Sequence, residues 1–263
     1  MIAEPVMRAV SVVGTPINPV SWDDALRIIQ RWASERQSRY VCICNVHSVI
    51  TAQQDPEFNR VVQHSDLNTP DGAPIAMMLR RLGCAGQRRI NGPDLMWKHC
   101  EVAARAGTSI YLYGGMPDAL SALQTRLAES FPGLKIAGAY SPPFRALSVQ
   151  EDQAIVDTIN SSGAGVVWVG LGCPKQEKWM AAHRGRINAV MVGVGAAFDF
   201  HAGRLKRAPH WMRNLGLEWM HRLISDPARL WKRYLVTNSM FIALASRQLL
   251  RFRWARLMGK RPA

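Results

Sequence analysis

Asp71 lies between Pro70 and Gly72 in the segment SDLNTPDGAP, a composition that reads as a turn. A carboxylate presented from a turn into a cleft can take the proton of an attacking hydroxyl. An Asp-Gly turn can equally serve the backbone alone, with the carboxylate accepting main-chain N–H groups. Asp94, in RRINGPDLMW, divides the same way between contact with a substrate and the capping of a following helix. Asn45 follows the apolar run YVCIC, in Asn45-Val46-His47. Three more apolar runs end in glycines: Gly114-Gly115 after SIYLY, Gly170 to Glu177 after GVVWV, and Gly193 to Asp199 after AVMV.

Glycine-bearing strand-to-helix turns that converge on one edge bring backbone N–H groups and helix N-termini together. That is a metal-free way to hold a diphosphate. Gly114, Gly115, Gly172 and Gly195 are the candidate donors, with Lys175, Gln176 and Asp199 beside them. The competing explanation is steric, because strand-to-helix connections use glycine wherever backbones pass closely. Neither G-x-G-x-x-G nor G-x-x-x-x-G-K-[ST] is present, which argues against a standard dinucleotide or P-loop site. No D-x-D pair calls for a metal, and no metal or cofactor is expected. His47, His201 and His210 stand near these loops and are read as hydrogen-bonded structural residues.

These residues need a scaffold. Segments 9–14, 40–46, 109–115, 134–140, 165–172 and 189–195 read as strands, several of them apolar on both faces. Segments 21–35, 48–64, 117–130, 148–162 and 174–185 carry helical periodicity. Ser21 with Asp24, and Ser148 with Glu151, form N-terminal capping pairs. Alternation of this kind predicts an α/β fold, a mostly parallel sheet with helices on both faces. Ligands then bind at the carboxyl ends of the strands, where the residues above lie.

The chain has 263 residues, enough for one substantial core, and 48% of them are hydrophobic, which excludes wholesale disorder. The early Glu4 and Pro5, without a long apolar run, do not read as a secretory signal. Five cysteines without metal-site spacing, Cys42 and Cys44 among them on one side of a strand, read as core thiols in a reducing compartment. Net charge is +14, of which residues 204–263 carry +12 and residues 1–203 only +2. The last sixty residues are therefore a basic appendage that attracts a polyanion.

The appendage also holds Trp211, Trp219, Trp231 and Trp254, and an uncharged run, 234–246, that leads into Arg247, Arg251, Arg253, Arg256, Lys260 and Arg261. Thirteen residues are too few to span a bilayer, which takes roughly 20. A helix lying in the interface fits. The alternative packs 234–246 on the body or into a homo-oligomer interface.

Taken in order, NTPDGAPI (68–75), NGPDL (91–95) preceded by Arg89, YLYGG (111–115), VGLGCPKQEKW (169–179), GVGAAFDFHAG (193–203), RAPHWMRNLGLEWMHRL (207–223) and PARLWKRY (227–234), together with Asn45, resemble the WecG/TagA/CpsF family of glycosyltransferases. The resemblance runs from about residue 8 to 235. It implies a Rossmann-like catalytic domain over 1–203 and a membrane- and acceptor-binding helical appendage over 204–263. It further implies inverting transfer from a UDP-sugar to the 4-hydroxyl of a sugar on polyprenyl diphosphate, at the anionic inner face of a membrane.

The family's general base falls on Asp71 and its substrate-contacting residues on Asn45 and Gln176. The arginines that would hold the acceptor diphosphate fall on Arg222, Arg229 and the Lys232–Arg233 pair, with Arg207 nearby. Within the family the chain looks most similar to the glucosyltransferase adding the second sugar in xanthan assembly, with N-acetylmannosamine or its uronic acid as alternative donors. Where many members carry Thr two residues before the Asn, this chain has Ile43, which bears on donor preference. Outside the family, the basic aromatic tail would suit nucleic acid. That reading leaves the strand-end loops unexplained, and no nucleic-acid partner is expected. An oxidoreductase is disfavoured by the missing glycine fingerprint.

Overall fold

The computed structural model describes residues 8–214 and 216–259, without the side chains at 210, 214 and 229. Readings that rested on residues 1–7 and on His210, Arg229, Lys260 and Arg261 lie outside the described residues.

The chain opens with an antiparallel hairpin, β1 (Val10–Val12) and β2 (Thr15–Ile17), followed by helix α1 (Trp22–Ser34). Then come β3 (Arg39–Cys44), α2 (Val46–Gln54), α3 (Pro56–Gln63), β4 (Leu67–Pro70), α4 (Ala73–Arg81) and α5 (Gly92–Ala106). The second half runs β5 (Ile110–Gly114), α6 (Pro117–Ser130), β6 (Ile136–Tyr140), α7 (Val149–Ser162), β7 (Val166–Gly170), α8 (Lys175–His183) and β8 (Val190–Gly193). Four helices close the chain: α9 (Ala197–His201), α10 (His210–Asn214), α11 (Glu218–Ser225) and α12 (Pro227–Leu257).

Strands β3 to β8 form one six-stranded sheet in the order β4-β3-β8-β7-β5-β6, parallel throughout. Each central strand feeds two cores because alternate side chains point to opposite faces. Tyr40, Cys42 and Cys44 of β3 and Val167 and Val169 of β7 pack on one side, against α2, α4, α7 and α8. Val41 and Ile43 with Val166 and Trp168 pack on the other, against α1, α5 and α6. All five cysteines are free; Cys42, Cys44 and Cys100 are buried as expected of small core residues, whereas Cys84 and Cys173 are only partly buried. Both anticipated caps form: the Asp24 N–H donates to Ser21 Oγ (3.1 Å), and Ser148 and Glu151 make a reciprocal capping box.

The expected helical stretch 48–64 is two helices, α2 and α3, divided at Asp55–Pro56, and α4 was not anticipated; two further departures concern strands. Residues 10–12 pair only with their own hairpin strand, because Val13 and Gly14 take positive φ (49° and 76°) and turn the chain straight back. Residues 67–70 form β4 within the segment that reads as a turn, because Asn68 and Pro70 are poor strand formers and Asp71-Gly72 follows them. They are tolerated at the sheet's edge, where β4 needs a strand neighbour on one side only. There Asn68 donates its N–H to Asn18 Oδ1 (2.8 Å) and accepts the Asn18 N–H (2.9 Å).

The appendage folds back on the body. Thr237, Phe241 and Ala245 of α12 are buried. Gln248 of α12 ties the hairpin, accepting from Val13 N–H (2.8 Å) and donating to Ser11 O (2.7 Å). The outer face of α12 leaves Leu235, Val236, Leu250 and Trp254 exposed. Among the described residues no helix is long and apolar enough to cross a membrane.

Candidate active site

The carboxyl ends of all six sheet strands open onto one cleft of about 2020 Å³. Asp71 and Asn45 meet in it for a reason of register. β3 and β4 run parallel with Cys44 opposite Pro70, so the next residue of each chain, Asn45 and Asp71, stand side by side. The Asp71 N–H adds one more rung, donating to Cys44 O (2.9 Å). Gly72, at φ 82°, then turns the chain into α4, a conformation that a side chain at this position would resist.

Asn45 serves two partners. As N-cap of α2 it accepts the Ser48 N–H through Oδ1 (3.1 Å), and its side chain also hydrogen-bonds the Asp71 carboxylate. Burial pushes Asp71 up to about 6, and the neighbouring Glu218 pushes the same way. Arg89, the Asn45 hydrogen bond and Arg222 pull it partly back. The result is a carboxylate that is ionised at neutral pH yet basic enough to accept a proton. Alanine at position 45 would lose the cap, worth about 1 kcal/mol. It would also shift the acidic limb of the kcat/KM profile to higher pH, since a bond favouring the ionised form is gone. A pH–rate series with a thermal melt checks both effects; an unmoved limb would mean that Asn45 does not act on the carboxylate.

A ladder of charges braces this corner. Arg89 pairs with Glu218 (3.2 Å), Arg207 reaches Glu218 (4.0 Å) and Asp94 (2.6 Å), and Arg213 approaches Asp94 (4.0 Å). Asp94 does not line the cleft. Its carboxylate accepts from Asn91 Nδ2 (2.7 Å) and Arg207, which hold it below the ordinary aspartate range despite burial that opposes them. It therefore fixes the start of α5 to the residues before α10. Arg207 is likewise absent from the cleft wall, as is Lys232, which is exposed beside the Trp231 ring. Arg222 and Arg233 do line the cleft, and together with burial they push His47 down to about 4.

The glycine turns converge as expected, but three of their amides have internal partners. Gly115 N–H donates to Gly170 O (3.2 Å). Gln176 Oε1 accepts both Gly172 N–H (3.2 Å) and Gly195 N–H (2.9 Å). Gln176 is buried, and its Nε2 donates to Glu177 (2.8 Å), itself buried and pushed up to about 6 by desolvation. The Gln176 side chain thus joins the turn after β7 to the turn after β8, in the place where a phosphate oxygen was expected. Gly114 is steric: a Cβ there would meet the Gly170 backbone at 2.8 Å. Gly115, Gly172, Lys175, Gln176, Gly195 and Asp199 all line the cleft, and so does Ile43. Exposed Lys175, at the first position of α8, is the cation nearest these turns in sequence.

Glu218 and Glu177 were not singled out as site residues by sequence. The signal for Glu218 was its isolation, one of two acids in a tail of fourteen basic residues. Among the described residues no cluster of His, Cys, Asp or Glu is arranged to hold a metal ion.

The carboxyl edge of the parallel sheet thus gathers two carboxylates raised by burial, Asp71 and Glu177, and the cations Lys175, Arg222 and Arg233, an arrangement suited to group transfer from an anionic donor. The chain matches the model of the glycosyl transferase WecG/TagA/CpsF family over residues 10–255, and it belongs to that family. The match runs past residue 235 into the last turns of α12. Two curated relatives carry the name N-acetylglucosaminyldiphosphoundecaprenol N-acetyl-beta-D-mannosaminyltransferase. The Bacillus spizizenii protein is 32% identical over 205 residues, 78% of this chain and 77% of its own. The Bacillus subtilis strain 168 protein is 33% identical over 207 residues, 78% of each. Neither name is that of a xanthan-pathway glucosyltransferase; both carry N-acetylmannosamine, the alternative donor.

Proposed function

We propose that the chain transfers N-acetylmannosamine from its UDP-linked form to the 4-hydroxyl of N-acetylglucosamine on undecaprenyl diphosphate, inverting the anomeric centre. The observation that carries the chemistry is Asp71, tuned to about 6 and flanked by Asn45 and Arg222 in the cleft. The identity of donor and acceptor is supported by the names of the two relatives. It takes the place of glucosyl transfer from UDP-glucose.

In this reading Asp71 takes the hydroxyl proton as the oxygen attacks the anomeric carbon from the face opposite UDP. An α-linked donor then gives a β-linked product. The departing diphosphate gains charge in the transition state, and a cation placed where it develops lowers the barrier. With the Gly115, Gly172 and Gly195 amides internally bonded, that duty falls to Lys175 and the positive start of α8. Arg222 and Arg233 take the acceptor's diphosphate. Residues 204–263 act as the unit that meets the anionic inner face of the membrane, with the enzyme bound peripherally.

A donor panel tests the assignment: UDP-linked N-acetylmannosamine, N-acetylmannosaminuronic acid, N-acetylglucosamine and glucose, each with N-acetylglucosaminyl- and glucosyl-diphospholipids. Turnover is expected with UDP-N-acetylmannosamine and the N-acetylglucosaminyl acceptor, giving a β-linked disaccharide. Exclusive use of UDP-glucose on the glucosyl acceptor would replace this reading with the glucosyl one.

A further inference from the structure

The cleft is larger than its chemistry requires. Small-molecule sites occupy roughly 300–1,000 Å³, whereas this one measures about 2020 Å³. Part of its lining is an apolar arm made by Leu171 and Trp179 together with residues of α12. The Trp179 ring is fixed between Tyr113 (centroids 4.2 Å apart) and His183 (4.1 Å).

The α12 residues form one stripe. Arg233, Thr237, Phe241, Ala245 and Leu249 recur every four residues, and all five line the cleft. At 1.5 Å per residue the stripe is about 24 Å long. It starts at a guanidinium that acts on His47 and Cys173, close to the reacting corner, and becomes apolar two turns later. The rim carries Phe144, 88% exposed, and Ile242, 64% exposed. Arg186 and Asp152, which also line the cleft, form an ion pair (2.8 Å).

We infer that this arm is the subsite for the first isoprenoid units of the lipid acceptor, with the diphosphate at Arg233 and the chain leaving over Phe144 and Ile242 toward the bilayer. The inference rests on the lipid-diphosphate acceptor proposed above. The order of the stripe, cation first and hydrocarbon after, is the order of a prenyl diphosphate read from its phosphates outward.

The test uses the full-length enzyme and N-acetylglucosaminyl diphosphates bearing methyl, isopentenyl, geranyl and farnesyl groups, in detergent-free buffer. KM is expected to fall by about tenfold or more from methyl to geranyl, since each buried methylene favours binding, and to level off beyond. In Phe144→Ser and Ile242→Asp the methyl-to-geranyl ratio shrinks toward one. Leu257→Ser, on an exposed residue outside the cleft, keeps the wild-type ratio.

A wild-type ratio near one, with turnover intact, overturns the subsite and leaves the proposed reaction standing. If no acceptor is turned over, calorimetry with methyl and geranyl diphosphate decides separately. Tighter geranyl binding that Ile242→Asp abolishes upholds the subsite while the reaction falls, and equal binding overturns it. A sedimentation shift in Ile242→Asp with an unchanged ratio would give this face to a second copy of the chain instead.

Discussion

Asp71→Asn lowers turnover by about 10²–10⁴-fold, the range set by loss of a positioned general base. The amide keeps the size and one hydrogen-bonding oxygen of the carboxylate, so the pocket is retained while the proton acceptor is lost. The wild-type kcat/KM rises with pH through about 6, where Asp71 ionises. In the variant the Asp71 limb disappears, and any limb left near 6 belongs to Glu177, which burial also pushes up to about 6. Stability moves the other way. The folded chain favours the neutral acid, so ionising Asp71 costs stability as pH rises from the ordinary aspartate range to about 6, and the cost persists above. Asparagine carries no charge, and the variant should melt no lower than wild type at neutral pH. Near-full activity in Asp71→Asn would remove this residue from the chemistry, whereas a collapsed melting temperature would assign it a structural role.

Gln176→Leu is expected to destabilise the fold by about 2–4 kcal/mol, because the partly buried Gly172 and Gly195 N–H groups and the buried Glu177 carboxyl each lose a partner. Activity falls with it, since the turns after β7 and β8 are no longer joined across the cleft floor. Urea unfolding separates the two effects. A variant that stays within about 1 kcal/mol of wild type yet loses turnover would show that Gln176 acts on the substrate, as the family resemblance implies, more than on the turns.

The parallel sheet was legible because its central strands are apolar on both faces, and buried strands must be so. Both capping pairs were legible because Ser followed three residues later by an acid satisfies helix-end N–H groups locally. β4 was hidden because its residues suit an edge, and an edge is a property of the assembled sheet. That strand mattered, since its register is what places Asp71 beside Asn45. The glycine turns were correctly located. What no local pattern could give was the Gln176 side chain filling the gap between two of them, a contact that spans 19 residues to Gly195. Asp94 and Arg207 drew attention as charged residues near promising loops, and their charges are spent on each other.

The outermost position of β4 has its own consequence. The proposed proton acceptor directly follows an edge strand, paired with β3 alone, whose outer side is stitched down by the Asn18–Asn68 pair. A small local opening of that seam would carry Asp71 away from its neighbours while both cores stay closed. On warming, such an enzyme would lose its chemistry before it loses its shape.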